Sequence, residues 1–163
     1  MSEITDPTSP VERRTFLGAA GLVSVAALGL PDAAGAAALT EAEAARVKVV
    51  IDFCAAWSTR NLAAILPFLA DDSVYRMTET TPPAIGHAGV RERLGSWIES
   101  SQQIEFKILE TFAKGPIVVN HRIDRFISTT RPLTWEGVGV FFVKDGKIQE
   151  WSDYTIRVER PPA

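Results

Sequence analysis

The sequence is poor in the residues that build disulfides and transition-metal sites. Its 163 residues include one cysteine, Cys54, and two histidines, His87 and His121, that lie far apart. A single cysteine cannot form an intramolecular disulfide, and this set does not suit a zinc site of the Cys/His type. The chemistry open to the chain is that of carboxylates, arginine, tyrosine and bound water, so we expect neither a metal nor a cofactor.

The chain also lacks a surplus of positive charge. Its 17 lysines and arginines are set against 20 aspartates and glutamates, which gives a formal net charge of -3. The sequence has no basic cluster and no interleaving of basic with aromatic residues, the usual footprint of a nucleic-acid interface. Nucleic acid is therefore not expected as a partner.

The first forty residues have the order of an export signal. Arg13-Arg14 precedes an apolar run over residues 16–30, and small residues follow. This order resembles a twin-arginine signal peptide, and the run is too rich in Gly, Ala and Ser to hold a stable membrane-spanning helix. We predict a signal peptide over residues 1–38, cleaved after Ala36 or Ala38, and a periplasmic or secreted mature protein. A disordered alanine-rich tail and an uncleaved anchor are the alternatives.

Residues 39–163 are predicted to form one α+β domain. Thr40 and Glu43 make a capping box at the start of the first helix, Asp71-Asp72 ends the second, and Asp145-Gly146 is a hairpin signal between the last two strands. The predicted helices cover 40–58, 61–69 and 88–100, and the predicted strands cover 73–78, 104–112, 117–127, 133–143 and 148–157. Helices followed by strands favour helices packed on one face of a mainly antiparallel, curved sheet. Such a sheet makes a cone with a pocket for a small ligand.

Charged side chains share strand faces with aromatic ones in the second half of the chain. Because side chains alternate along a strand, Arg122, Asp124 and Phe126 lie on one face, and Trp151 and Asp153 share a face of the last strand. A buried carboxylate becomes tolerable when an arginine fork bridges it. These strands could bring two carboxylates and one guanidinium to one pocket. The alternative is a structural ion pair between Arg122 and Asp153.

Four stretches resemble the limonene-epoxide-hydrolase family, within the larger group of nuclear-transport-factor-2-like (NTF2-like) cone folds. They span nearly the whole mature chain: Val50 to Trp57, Val74-Tyr75, Arg122-Ile-Asp124, and Gly139-Val-Phe141 continuing through Asp145-Gly-Lys-Ile to Trp151-Ser-Asp-Tyr154. The last stretch is common to many cone folds and supports the fold. The Arg-x-Asp pair with the later aspartate is more specific to the activity.

The resemblance implies a one-step hydrolysis of an epoxide. Asp153 would act as general base on a water, Asp124 as general acid on the epoxide oxygen, and Arg122 would lie between them. Tyr75 matches the tyrosine that holds the water, but Met77 stands where the family has an asparagine. A thioether accepts hydrogen bonds poorly and donates none. Either another polar residue (Thr78, Glu79 or Asn120) substitutes, or the activity is altered.

The remaining residues of interest suggest the shape of the pocket. We expect Met77, Phe126, Trp135, Phe142 and Trp151 to form a substrate-binding wall for a bulky apolar epoxide. Trp57 and Trp97 are read as core or pocket wall, and Cys54 as core.

Glu136 is expected to face solvent; if it faced the pocket, a third acid would resemble an epoxide cyclase. His87 and His121 are expected to be structural or surface residues. A homodimer is expected from the family. A polyketide cyclase, a ketosteroid-isomerase-like enzyme and a non-catalytic ligand-binding module are the competing functions.

Overall fold

A computed structural model describes residues 38–160 of the chain. The predicted signal peptide over residues 1–38 and its cleavage sites lie outside the described residues, apart from Ala38 itself. The helices, including two single 3-10 turns, are α1 (Glu41–Ala56) with a turn at Trp57–Thr59, α2 (Leu62–Ile65) with a turn at Leu66–Phe68, and α3 (Gly86–Ser100). The strands are β1 (Leu69–Arg76), β2 (Ala84–Ile85), β3 (Gln103–Lys114), β4 (Ile117–Ile127), β5 (Leu133–Lys144) and β6 (Lys147–Glu159).

The strands form one curved, mixed sheet that does not close into a barrel. Its order is β2-β1-β6-β5-β4-β3, and the β1–β6 pair is parallel while the other pairs are antiparallel. The helices pack on one face, here called the inner face, and the opposite face is called the outer face. The predicted α+β class, with helices on a mainly antiparallel curved sheet, is confirmed.

Two sequence signals set the ends of these elements as predicted. The capping box is present, because the Thr40 hydroxyl accepts from the Glu43 amide and the Glu43 carboxylate accepts from the Thr40 amide. The same carboxylate also accepts from the Gly115 amide at 2.8 Å, which ties α1 to the β3–β4 turn. Asp145 and Gly146 both adopt positive φ, 52° and 72°, as the tight hairpin between β5 and β6 requires.

The first strand is longer than predicted. Asp71-Asp72 does not end the second helix, which is over before these residues; β1 begins at Leu69 and passes through both aspartates. The pairing with β6 shifts register between Leu69 and Val74, and both aspartates are exposed at that irregularity. A strand can therefore carry these polar residues without burying them.

The core lies between the inner face of the sheet and the helices. It is centred on Phe53 of α1, which makes edge-on contacts with Trp57, Phe141 and Trp151 at centroid distances of 5.0–6.1 Å. Cys54 is buried in this core, as expected. Among residues 38–160, no helix is long and apolar enough to cross a membrane.

Candidate active site

Arg122 lies between two buried carboxylates on the inner face of the sheet. Its Nε donates to both oxygens of Asp124, at 3.0 and 3.1 Å, and its Nη2 donates to Asp153 Oδ1 at 2.7 Å. The Arg122 side chain is 1% exposed, and the two carboxylates are 6% and 8% exposed. Strand parity places Arg122 and Asp124 on one face, and the β4–β5–β6 order brings Asp153 to them, as the family resemblance implied.

Aromatic rings surround the guanidinium. The rings of Phe106, Trp135, Phe141 and Trp151 lie 5.0–6.0 Å from its central carbon. Rings at this distance attract a cation through their quadrupoles and exclude water. The aromatic shell therefore partly offsets the cost of burying the charge and strengthens the contacts between Arg122 and the two acids.

Two glycines on β5 make room for these large side chains. A Cβ atom on Gly139 would overlap Arg122 Nη1 and approach the Phe141 ring, and a Cβ on Gly137 would overlap the Trp135 ring. The arginine and the tryptophan occupy the space of the missing side chains. Neither glycine was identified from the sequence, although their alternation on the strand facing Arg122 was a usable signal.

Asp153 and Asp124 differ in their hydrogen-bond donors. Asp153 accepts from Arg122, from Trp151 Nε1 at 2.8 Å and from the Tyr75 hydroxyl at a long 3.5 Å. The side chains that donate to Asp124 are limited, among the described residues, to Arg122. Donors stabilise the ionised form of a carboxyl group. The hydrogen bonds therefore favour the ionised form of Asp153 more than that of Asp124, and Asp124 is the group better suited to carry the proton.

Burial dominates the titration of the site. Burial raises the pKa of Asp124 to about 7, which Arg122 opposes and the charge of Asp153 reinforces. Burial also raises the pKa of Asp153, against the lowering effects of Arg122, Trp151 and Tyr75. For Arg122, burial acts to lower the pKa, but the two carboxylates outweigh it and the pKa rises, so the guanidinium stays charged. Burial raises the pKa of Tyr75, which keeps its proton.

A cavity of about 180 Å³ opens onto the two carboxylates. Met77, Phe126, Trp135 and Trp151 line it, as predicted, together with Tyr75. Further wall residues, not assigned as substrate-binding from the sequence, are Leu94, Phe106, Leu133, Thr155 and Val158, and Trp57 and Trp97 also contribute. The cavity is a mainly apolar chamber with its charged groups at one place in the wall.

Phe142 does not line this cavity, which corrects one prediction. It pairs with Ile117 and Glu150, and it alternates with the inward-facing Phe141. Odd-numbered residues of this strand, such as Trp135 and Phe141, face inward, so Phe142 must face outward. Phe141 is the residue that contacts the arginine.

Glu136 lies on the outer face, as expected. It pairs with His121 at 3.3 Å and with Arg157 at 3.0 Å, on the side of the sheet opposite Arg122. No third acid therefore enters the cavity from this position. His87 contacts the Leu69 carbonyl and is a structural residue.

The residues proposed to replace the missing asparagine are placed differently from one another. Thr78 lines the cavity next to Met77, and its hydroxyl is hydrogen-bonded to that of Thr81. Glu79 is exposed to solvent, and Asn120 is buried behind the cavity wall with its amide on Thr111. Thr78 is the only one of the three that lines the cavity.

The described residues contain no group of three or more His, Cys, Asp or Glu side chains suited to hold a metal ion. The titratable groups at the cavity are the two aspartates, Tyr75 and the nearby guanidinium, with Arg160 at the end of β6. This set suits proton transfer between a bound molecule and two acids of unequal affinity for one proton.

Known proteins that share this fold are described as having several different activities. The model of the SnoaL-like domain family matches residues 50–151. The structure of an LEH-like epoxide hydrolase from M. tuberculosis is 25% identical, with a TM-score of 0.57 over 69% of this chain and 84% of that one. A candidate polyketide cyclase from Xanthomonas campestris is 20% identical, with a TM-score of 0.59 over 69% of this chain and 90% of that one.

A protein with a ketosteroid isomerase-like fold from Catenulispora acidiphila, in complex with trimethylamine, is 15% identical, with a TM-score of 0.58 over 66% of this chain and 84% of that one. The likeness to this protein and to the Xanthomonas protein is one of fold. The NTF2-like architecture is thereby confirmed.

Proposed function

This chain belongs to the SnoaL-like domain family, and from that premise we propose that it is a cofactor-independent epoxide hydrolase. The observation that carries the proposal is the contact of one buried arginine with two buried aspartates that line an apolar cavity. The similarity to an LEH-like epoxide hydrolase supports it. The product would be a vicinal diol, formed in one step without a covalent intermediate.

The proposed step moves two protons and exchanges one C–O bond for another. Asp153 takes a proton from a water whose oxygen attacks an epoxide carbon. The bond from that carbon to the ring oxygen breaks, and Asp124 donates its proton to this oxygen. The pair holds one proton throughout: it is on Asp124 before the step and on Asp153 after it. Transfer of a proton from Asp153 back to Asp124 completes the cycle. Arg122 holds both groups in place throughout.

The pKa of Asp124 suits this assignment. A group with a pKa of about 7 is partly protonated near neutral pH, so it can donate where an ordinary aspartate could not. Asp153, with three donors, is the member of the pair that ionises first. We expect the rate to fall at high pH as Asp124 loses its proton, and at low pH as Asp153 gains one.

We propose that Thr78 takes over the water contact that an asparagine at position 77 would make. Its hydroxyl can both donate and accept, which Met77 cannot, and Thr78 lines the cavity. Thr78→Val should therefore lower turnover, whereas Thr80→Val, an exposed neighbour, should not. Met77→Asn should raise turnover if the water is held too loosely.

The substrate is proposed to be a compact apolar epoxide. The cavity of about 180 Å³ is similar to the ~150 Å³ apolar cavity that takes up benzene. The walls are mainly aromatic and aliphatic side chains, and a small ring bearing an epoxide fits both their size and their chemistry.

The proposal is tested with a panel of epoxides in oxygen-18 water. Label should enter the diol in the first turnover, because no aspartyl ester forms. Asp153→Asn and Asp124→Asn should each abolish turnover. The matched control is Asp145→Asn, which makes the same chemical change in the exposed hairpin turn. Turnover that survives Asp153→Asn would overturn the mechanism.

A second candidate is another proton-transfer reaction on the same fold, such as an isomerisation or a cyclisation. Met77 favours it, because the chain departs from the hydrolase pattern at the water site. Exchange of substrate hydrogen with deuterated water, without diol formation, would identify this class. Loss of that exchange in Asp153→Asn would assign the base.

We propose that the outer face of the sheet forms a homodimer. Apolar side chains on β4 and β5 are only partly buried there, among them Val119, Val138, Val140 and Phe142. Light scattering coupled to gel filtration should give a dimer, and Phe142→Lys should give a monomer that keeps its helices. The control Lys48→Gln, at an exposed ion pair of α1 on the helical side of the sheet, should stay dimeric.

Export is proposed from Arg13-Arg14 and the apolar run that follows. A reporter fused after residue 38 should leave the cytoplasm, and replacing both arginines by lysine should retain it.

A further inference from the structure

Asn120 lies on the inner face of β4, one inward position before Arg122. It is fully buried, and its Nδ2 donates to Thr111 Oγ1 at 2.9 Å. Its Oδ1 has no hydrogen-bond partner among the described residues. A buried amide oxygen without a partner is costly. A polar side chain at this position therefore calls for a nearby hydrogen-bond donor.

A second buried polar atom without a partner among the described residues is Nη1 of Arg122. The position of this nitrogen is fixed by Gly139, because a Cβ on that glycine would overlap it. Gly139 is opposite Asn120 in the β4–β5 ladder and opposite Asp153 in the β5–β6 ladder. Nη1 therefore occupies the empty side-chain position between Asn120 and Asp153.

An unpartnered acceptor and an unpartnered donor are thus neighbours in one row of the sheet. Side chains directly opposite each other start about 4.5–5.5 Å apart. A small adjustment of the amide, or one bridging water, closes such a distance. In the observed orientation Nδ2 donates to Thr111, and Oδ1 is the free end of the amide. The reverse orientation would direct an NH₂ group at a cation, whereas the present one leaves the oxygen available.

We propose that Asn120 is a positioning residue, which holds the guanidinium of Arg122 through Nη1, directly or through one water. Each nitrogen of the guanidinium then has its own acceptor: Nε has Asp124, Nη2 has Asp153 and Nη1 has Asn120. The group is held against rotation from three sides. Only the catalytic consequence of this role rests on the proposed hydrolase function.

The test is a carboxyl-carbon NMR titration of Asp124 in the full chain. In Asn120→Leu, the less firmly held guanidinium stabilises the Asp124 carboxylate less well, and we expect the pKa of Asp124 to rise by about one pH unit. The matched control is Thr111→Val, which removes the partner of Nδ2 but not of Oδ1, and should shift this pKa much less. Neither variant replaces the other titratable groups near the site, which are Cys54, Tyr75 and Asp153.

Two results would contradict the positioning role. One is an unchanged titration of Asp124 in Asn120→Leu. The other is an equal rise in both variants, which would show that any loss of the buried pair loosens the strand. If Asn120→Leu does not fold, Asn120→Val, a strand-compatible apolar variant, is subject to the same criteria.

Turnover of the epoxide panel separates this inference from the proposed function. Asn120→Leu should lower kcat about tenfold with KM nearly unchanged, because the acid and base are displaced while the apolar wall is intact. If the unaltered protein turns over no epoxide, the hydrolase function fails. The titration would still decide whether Asn120 positions Arg122.

Discussion

The raised pKa of Asp124 predicts that the protein is less stable at pH 8 than at pH 5. The pKa is about 7 in the folded chain, against an ordinary 3.8. Between these two values the folded state binds a proton that the unfolded state has released. Stability then falls with rising pH by about 1.4 kcal/mol per pH unit. The loss amounts to roughly 2 to 3 kcal/mol between pH 5 and pH 7, and it levels off above pH 7, where both states are ionised.

Asp124→Asn isolates this contribution, because an amide has nearly the same shape and cannot ionise. Its oxygen can still accept from Arg122 Nε. We expect the variant to match the unaltered chain near pH 5 and to exceed it at pH 8 by about 2 to 3 kcal/mol. The stability is gained at the expense of activity, since the proposed acid is lost.

Urea denaturation of both proteins at several pH values between 5 and 8 measures the effect. Asp153 also has a raised pKa, so the difference between the two proteins, rather than either slope alone, reports on Asp124. The exposed Asp145→Asn variant should follow the unaltered chain at every pH. Parallel curves for Asp124→Asn and the unaltered chain would refute the reasoning.

Three further predictions concern the surroundings of the site. Gly139→Ala should cost about 1–3 kcal/mol in a denaturation experiment and displace Arg122, because the new methyl group overlaps Nη1. Trp151→Phe removes the indole donor to Asp153, which should raise the pKa of that base and move the acid limb of the pH–rate profile to higher pH. Cys54, whose pKa burial raises to about 12, should resist thiol reagents at pH 8 in the folded protein and react on unfolding.

The shared face of Arg122 and Asp124 could be predicted from alternation, whereas the approach of Asp153 depends on the β4–β5–β6 order and was expected from the family resemblance. The β4–β5 register runs without a shift from Ile117 to Phe126, so residues two apart keep to one face. The same rule should have excluded Phe142, whose parity differs from that of Trp135. Hydrophobicity was misleading there, because both faces of β5 carry apolar side chains and composition alone does not distinguish them.

The missed features have little or no local signal. The strand β2 has only two residues, Ala84–Ile85, too few for any alternation to appear. The start of β1 at Leu69 depends on an irregular parallel pairing with a strand almost eighty residues later. Such pairings are set by the tertiary structure, and no pattern within the segment itself predicts them.

The overlap between the arginine and the Cβ position of Gly139 also links two distant positions in the evolution of such chains. In a relative with the same packing and an arginine at the position of Arg122, a side chain at the position of Gly139 would meet the guanidinium. Conversely, once a larger residue is fixed there, we expect the return of the arginine to need a second substitution at that position. The identity of the residue at this one strand position would then divide relatives that can reach the two-aspartate chemistry from those that have lost the route to it.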